Sequence, residues 1–199
     1  MSLNPGGIPL AASADYTPRV GRASRWLLLA LLAWWTARFA FHPLDGPFVG
    51  ESFLHLINLP FHEAGHVLFS PFGRFMTILG GSLMQLLVPI ACAVSFGRRQ
   101  DWFATMVCVW WGGQNLVDLA PYIADARTLQ LVLLGGATGA EVEGHDWEAL
   151  LQTLGWLHLD RRLGMGAHVV GSVVMAGALA AAARLAHLSS RESCDVMQA

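Results

Sequence analysis

The residues best suited to chemistry in this chain form the pattern HExxH, made by His62, Glu63 and His66. On an α-helix, residues four positions apart lie on one face, so both imidazoles can bind a single metal ion. Glu63 lies about 100° around the helix from His62. From there its carboxylate can take a proton from a water molecule that the metal activates. The spacing predicts a hydrolytic metal site.

A purely structural explanation of the same residues is also open. His62 and His66 can be core histidines that hydrogen-bond nearby carbonyl groups, with Glu63 at an interface. The segment around them is apolar, however, and ionisable groups are costly where such a segment meets lipid. This cost favours the functional explanation.

The composition is typical of a membrane protein. Hydrophobic residues make up 54% of the chain and charged residues only 13%, whereas a soluble domain carries roughly 25% charged residues. The net charge of −2 argues against nucleic acid as a partner. We therefore expect an integral membrane protein surrounded by the lipid bilayer, with the bacterial inner membrane as its location.

Five apolar segments are candidates for crossing the bilayer. In chain order they are residues 26–41, 48–72, 77–96, 102–123 and 164–187. We predict an all-α, polytopic membrane helix bundle of about five transmembrane segments. This membrane-embedded domain covers residues 26–187, with its core at 48–127, between a flexible N-terminal tail at 1–25 and a C-terminal tail at 188–199.

The orientation of the segments leaves two alternatives. If the arginines before residue 26 face the cytoplasm, three complete crossings put Arg98 and Arg99 outside, against the positive-inside tendency. Either the HExxH segment or residues 77–96 then fails to cross fully.

Proline and glycine residues shape the helices near the motif. Pro60 either kinks the motif helix or lies in its first turn, with Asn58 as the N-cap. In the first case His55 shares the face of the motif histidines and can be a fourth metal contact, and in the second it lies in a loop. Gly80 and Gly81 in the next segment predict a close helix contact.

Two aspartates in a later apolar segment are candidate metal ligands. Asp118 and Asp125 are seven residues apart and therefore share a helix face, provided that Pro121 does not break the helix. A carboxylate in such a segment needs a cation or a metal as its partner. Pairing of Asp125 with Arg127 at the membrane edge is the alternative.

His145 and Asp146 precede a predicted short helix. Its apolar residues recur at helical spacing, at Trp147, Leu150, Leu151, Leu154 and Leu157. Asp146 is a suitable N-cap for this helix. The pair can also reach the metal, as a ligand or as a partner of a ligand, but capping is the favoured interpretation.

These motifs resemble the site-2 protease family of intramembrane zinc metalloproteases. That family carries HExxH on one core membrane helix and an aspartate on a later helix, in a pattern similar to N-x-x-P-x-x-P-L-D-G. The corresponding stretch here is residues 115–127, NLVDLAPYIADAR. The resemblance implies a Zn²⁺ ion held by His62, His66 and, as third ligand, Asp125. It also implies that Glu63 is the general base and that Asn115 contacts the substrate or the oxyanion.

The chain departs from the family pattern around the aspartate. The spacing from Asn115 to Asp125 is longer, Ala126 replaces a glycine, and Asp118 stands where a proline is usual. The third ligand therefore stays open among Asp125, Asp118 and His145.

The predicted function is that of an intramembrane zinc metalloprotease. Its substrate is a membrane protein or peptide, embedded in or close to the membrane, whose helix partly unwinds to expose an amide bond. Two alternatives stay open: a membrane metal-dependent hydrolase of a lipid or another amide, and a non-enzymatic protein that binds haem or a metal in its helix bundle.

Overall fold

A computed structural model describes residues 19–44, 48–134 and 136–196, and over these residues the fold is all-helical. The α-helices are α1 (Arg19–Ala40), α2 (Phe53–Phe69), α3 (Arg74–Arg98), α4 (Trp102–Ala124), α5 (Asp146–Thr153) and α6 (Asp160–Val196). In the described residues, β structure is limited to one isolated bridge between Val132 and Thr138. The all-α prediction is thus confirmed.

The helices pack in an order that places α3 and α4 at the centre. Helix α3 lies between α2 and α4, and α6 packs against both α4 and α1. The short α5 contacts the ends of α3 and α4. The motif helix is therefore held by α3, and α5 is close enough to reach it.

Glycines set the closest helix contacts. A Cβ atom on Gly80 of α3 would lie 2.6 Å from the carbonyl oxygen of Gly65 in α2. In the same way, a Cβ atom on Gly113 of α4 would lie 2.9 Å from the carbonyl oxygen of Gly171 in α6. The close contact predicted at Gly80 and Gly81 is confirmed, and small residues let these backbones approach each other as in membrane helix pairs.

Of the described helices, two are long and apolar enough to cross a bilayer: α3, and the stretch Leu157–Leu188 that contains most of α6. The bundle of about five spans is not confirmed. Helix α2 has 17 residues, or about 26 Å at 1.5 Å per residue, which is shorter than the ~30 Å hydrocarbon core. Helix α4 is 23 residues long, but its second half carries buried polar side chains that face other helices.

The motif helix begins before Pro60. Ser52 is its N-cap, and the Ser52 side chain accepts a hydrogen bond from the backbone N–H of His55 at 3.1 Å. Pro60 is therefore inside α2, Asn58 is not a cap, and His55 belongs to the same helix as the motif histidines.

The predicted tails are partly helical. Helix α1 already begins at Arg19, and α6 continues to Val196. Residues 1–18 of the predicted N-terminal tail and residues 197–199 of the C-terminal tail lie outside the described residues.

Candidate metal centre

Three side chains from two distant parts of the chain converge beside α3. The Nε2 atoms of His62 and His66 lie 3.0 Å and 3.2 Å from the same carboxylate oxygen, Oδ2 of Asp146. One ligand atom from each of the three residues falls within 4.8 Å of the other two. For ligands about 2.1 Å from a tetrahedral zinc ion, neighbouring ligand atoms are separated by about 3.4 Å. The two separations from histidine nitrogen to aspartate oxygen, 3.0 Å and 3.2 Å, are close to that value.

Both histidines are held by their other ring nitrogen. Nδ1 of His62 donates to Oε1 of Gln85 at 3.0 Å, and Nδ1 of His66 donates to the backbone carbonyl of Thr77 at 2.8 Å. Histidine ligands of metals usually make such a bond, which fixes the ring orientation and leaves Nε2 for the ion.

The hydrogen-bonding pattern around the two rings calls for a cation. A neutral imidazole has one donor and one acceptor nitrogen, yet in His62 and His66 both nitrogens face oxygen acceptors. With the protons on Nδ1, two lone pairs point at one carboxylate oxygen of Asp146. Two neutral rings cannot satisfy this arrangement. It requires either adjacent imidazolium ions, which repel each other, or a metal ion between the three atoms.

Helix α5 positions Asp146. His145 is the N-cap, because its Nδ1 accepts the backbone N–H of Glu148 at 3.1 Å. Asp146 is thus the first residue of α5, and its backbone N–H donates to the Tyr122 hydroxyl at 2.9 Å. The Nε1–H of Trp147 donates to the Ser82 hydroxyl of α3 at 3.1 Å. The carboxylate is therefore free of a capping role and directed toward α2.

The Asp146 carboxyl group is ionised at neutral pH. Burial by itself raises the pKa of Asp146, but the adjacent His62 and His66 rings, when protonated, act in the opposite direction, and the net result is a pKa below the ordinary value of 3.8. A carboxylate is the form that binds a metal ion.

Gly81 of α3 keeps the centre open. A Cβ atom at this position would lie 2.6 Å from Nε2 of His62 and 2.6 Å from Nε2 of His66. Since zinc lies about 2.0 to 2.1 Å from a histidine nitrogen, that methyl group would compete with an ion for the same space. The three donors and this gap together fit a zinc ion.

The candidate centre opens into a cavity of about 1120 Å³. Glu63 is exposed and lines this cavity together with His62 and His66. Much of the cavity lining is apolar and includes Leu44, Leu59, Ile78, Leu131, Val132, Leu133, Leu134 and Val142. The cavity is large enough for an extended apolar group whose reacting bond reaches the metal centre.

Asp118 makes other contacts. Its carboxylate accepts hydrogen bonds from Nδ1 of His55 at 3.1 Å, Nδ2 of Asn58 at 3.1 Å and Nε2 of Gln85 at 2.8 Å. Asp118 is therefore linked to the centre through Gln85. His55, which was predicted as a possible fourth contact, binds Asp118 through Nδ1.

Asp125 and Asn115 are also placed outside the group of three. The Asp125 oxygens accept bonds from the Thr128 hydroxyl and from the backbone N–H groups of Gln130 and Leu131, which close the turn after α4. Asn115 is fully buried, and its Nδ2 donates to the backbone carbonyl of Trp111. Asn115 is not among the described residues that line the cavity.

His145, the remaining predicted ligand, has both nitrogens directed elsewhere. Nδ1 caps α5. Nε2 is buried and lies 3.6 Å from Oδ2 of Asp125, and this distance is too long for a hydrogen bond. The structure thus brings His62 and His66 together with Asp146, the neighbour of a predicted ligand.

Comparison of the chain with family models, curated proteins and solved structures finds no significant match. The likeness to site-2 proteases accordingly consists of the motifs themselves.

Three residues of the centre were not predicted with their present roles. Asp146 was assigned mainly to the helix cap, because aspartate is a preferred N-cap residue. Gln85, the one amide within an apolar segment of twenty residues, was the visible signal for a buried polar partner. Tyr122 carried no signal, since a single tyrosine near an interface is ordinary in membrane helices.

Proposed function

We propose that the chain is a membrane zinc metallohydrolase that cleaves peptide bonds of membrane-embedded or membrane-proximal substrates. The observation that carries the proposal is the convergence of His62, His66 and Asp146 on one point, with acceptors at all four ring nitrogens. Two imidazoles and one carboxylate are a common ligand set of catalytic zinc, which keeps a fourth position for water.

The roles follow from the positions of the side chains. Zinc, when bound, supplies an activated water near neutral pH. Glu63 accepts a proton from the attacking water and returns it to the leaving amine. The apolar side chains of residues 131–134 in the cavity lining bind an apolar stretch of substrate.

The substrate class is argued from the surroundings of the site. Helix α3 lies directly against the motif helix and is apolar enough to cross a bilayer. A site beside such a helix can receive a chain that comes from the membrane, provided that the chain is locally extended, since a helix shields its own amide bonds.

Glu63→Gln tests the proposal. The full-length protein, purified in detergent with Zn²⁺, is given labelled apolar transmembrane peptides and, separately, lipid amides. We expect peptide cleavage by the wild type, a loss of about 10²- to 10⁴-fold in turnover for Glu63→Gln, and equal zinc content in both. Gln152→Glu on the exposed face of α5 is the control.

Two outcomes would contradict the proposal. Unchanged peptide turnover in Glu63→Gln would exclude Glu63 as the general base. Cleavage of the lipid amides with no cleavage of peptides would replace the peptide substrate by a lipid.

A further inference from the structure

We propose that Gln85 and Asp118 are positioning residues that fix the tautomer of His62, so that its Nε2 offers a lone pair to the metal centre. This inference rests on the metal binding proposed above and does not depend on the substrate. It follows from the direction of each hydrogen bond in a cluster of buried polar side chains between α2, α3 and α4.

The donor-to-acceptor direction of these hydrogen bonds is set at one end of the cluster by Asp118. Its side chain is 1% exposed, so water cannot replace its partners, and its Oδ2 atom already accepts a hydrogen bond from the NH₂ group of Asn58. Gln85 approaches Oδ2 of Asp118 at 2.8 Å. The Gln85 amide must therefore direct its NH₂ group toward Asp118, because the opposite orientation would place two oxygens in contact.

The orientation of Gln85 decides the tautomer of His62. Once its NH₂ group faces Asp118, the carbonyl oxygen Oε1 faces Nδ1 of His62 at 3.0 Å. A carbonyl oxygen only accepts, so the proton of His62 must be on Nδ1. In the neutral ring this leaves the lone pair on Nε2, the atom that lies 3.0 Å from Asp146.

The indole N–H of Trp111, at the other end of the cluster, sets the hydrogen bonds in the same direction. The indole N–H of Trp111 can only donate, and it binds Oδ1 of Asn58 at 2.9 Å. The Asn58 NH₂ group is thereby directed to Oε1 of Gln114 at 2.9 Å and Oδ2 of Asp118 at 3.1 Å. Asn58, Gln114 and Gln85 are at most 4% exposed. Asp118 is thus surrounded by donors whose orientations cannot reverse independently.

The arrangement differs from the common one, in which a metal-bound histidine donates directly to a carboxylate. Here the Gln85 amide lies between His62 and Asp118. It orients the proton of His62 without placing the Asp118 carboxylate in contact with the imidazole ring.

The experiment measures zinc affinity by competition with a chelator, and the electronic absorption of bound Co²⁺, in the full-length protein in detergent. Asp118→Asn lets the Gln85 amide reverse and offer its NH₂ group to His62. We expect zinc affinity to fall about 10- to 100-fold in this variant, with a Co²⁺ spectrum that differs from that of the wild type. Asp101→Asn, an equivalent change at the N-cap of α4, should leave affinity and spectrum unchanged.

Nitrogen NMR of histidine-labelled, zinc-free protein provides a second readout that needs no metal. Because the Asp146 carboxylate attracts a proton to Nε2 of His62 when zinc is absent, the wild type and Asp118→Asn are both compared with Asp146→Ala in place. With Asp118 intact, neutral His62 should carry its proton on Nδ1, and Asp118→Asn should lose that preference. If Asp118→Asn does not fold, Gln85→Leu removes the same bond from His62 and is expected to weaken zinc binding to a similar degree.

Three results would overturn the inference: wild-type affinity in Asp118→Asn, wild-type affinity in Gln85→Leu, or a His62 proton that stays on Nδ1 in Asp118→Asn. The last would mean that Asp118 acts through general packing. A wild type that binds no zinc would instead overturn the proposed function, so the two failures are distinguishable.

Discussion

At His62 and Glu63, two adjacent residues of one helix serve opposite purposes. His62 is buried, with an oxygen atom 3.0 Å from each ring nitrogen, whereas Glu63 is exposed to the cavity. The burial holds the imidazole in one orientation, and the exposure leaves the carboxylate able to exchange protons with water. This contrast is what a ligand and a general base require.

Gly81→Ala tests the space between the motif histidines. The added methyl group would lie 2.6 Å from both Nε2 atoms, so we predict that zinc affinity falls at least 100-fold, the upper end of the range for changes around a metal centre. Zinc per chain after dialysis measures it. Gly97→Ala is the control on the same helix, because its Cβ atom would meet no atom closer than 3.7 Å. Equal zinc content in both variants would argue against an ion at this point.

The motif residues could be predicted from the sequence because the information is local. His62, Glu63 and His66 need only the helical period to be placed on one face. Asp146 could not be chosen over its neighbours, since the cap of α5 falls on His145 or Asp146 with a shift of one residue. The role of Asp118 depends on partners in α2 and α3, and no spacing within α4 reveals those partners.

At the scale of elements, the centre depends on how α5 is attached to the bundle. Leu150 and Leu151 are buried, and the Trp147 indole bonds to Ser82 of α3. Asp146 is the residue before Trp147, so the attachment of α5 and the position of the third donor are coupled.

Trp147→Phe tests this coupling. Phenylalanine keeps most of the apolar contact but removes the N–H that binds Ser82, a bond worth about 0.5 to 1.5 kcal/mol. We predict a loss of zinc affinity of up to about tenfold, without any change in a metal-binding side chain. Trp156→Phe is the matched control, since Trp156 lies outside α5 and is 50% exposed. The same affinity for both variants would show that α5 does not need this bond to position Asp146.

Gly171→Val tests the contact between α4 and α6. A Cβ atom at Gly171 would lie 2.8 Å from Cγ2 of Val117, whereas at Gly177 of the same helix it meets nothing within 4 Å. We predict that Gly171→Val costs about 1 to 3 kcal/mol of unfolding free energy and lowers the melting temperature in detergent, while Gly177→Val does not. Thermal unfolding followed by circular dichroism compares the two. A similar melting temperature for both would contradict the close α4–α6 contact.

The glycine contacts were partly predictable from the sequence. Gly80 and Gly81 were expected at a helix interface and lie there. Among the glycines of α6, Gly171 lies at an interface, whereas at Gly166 and Gly177 a Cβ atom would have no neighbour within 4 Å. Composition identifies which helices can approach closely. The face on which two helices meet depends on the rotation of each helix about its axis. Small residues occur all around α6, so its sequence does not specify that rotation.

For the whole molecule, composition predicted an all-helical chain, which the structure shows over the described residues, and about five spans, for which the described helices offer two candidates. The apolar content that suggested five spans is divided between outward faces and a packed interior that includes Trp110, Val117 and Met175. The polar side chains of α4 face α2 and α3. Two helices keep the length and apolarity for crossing a bilayer, and the candidate metal centre lies beside one of them.

The account as a whole requires that His62, His66 and Asp146 hold a zinc ion, and zinc per chain measures this most directly. We predict about one zinc per chain in wild-type protein purified with Zn²⁺ and then dialysed, a loss of that zinc in Asp146→Ala, and its retention in Asp125→Ala, whose carboxylate closes the turn after α4. Absence of zinc from the wild type, or its loss in Asp125→Ala with retention in Asp146→Ala, would contradict the account.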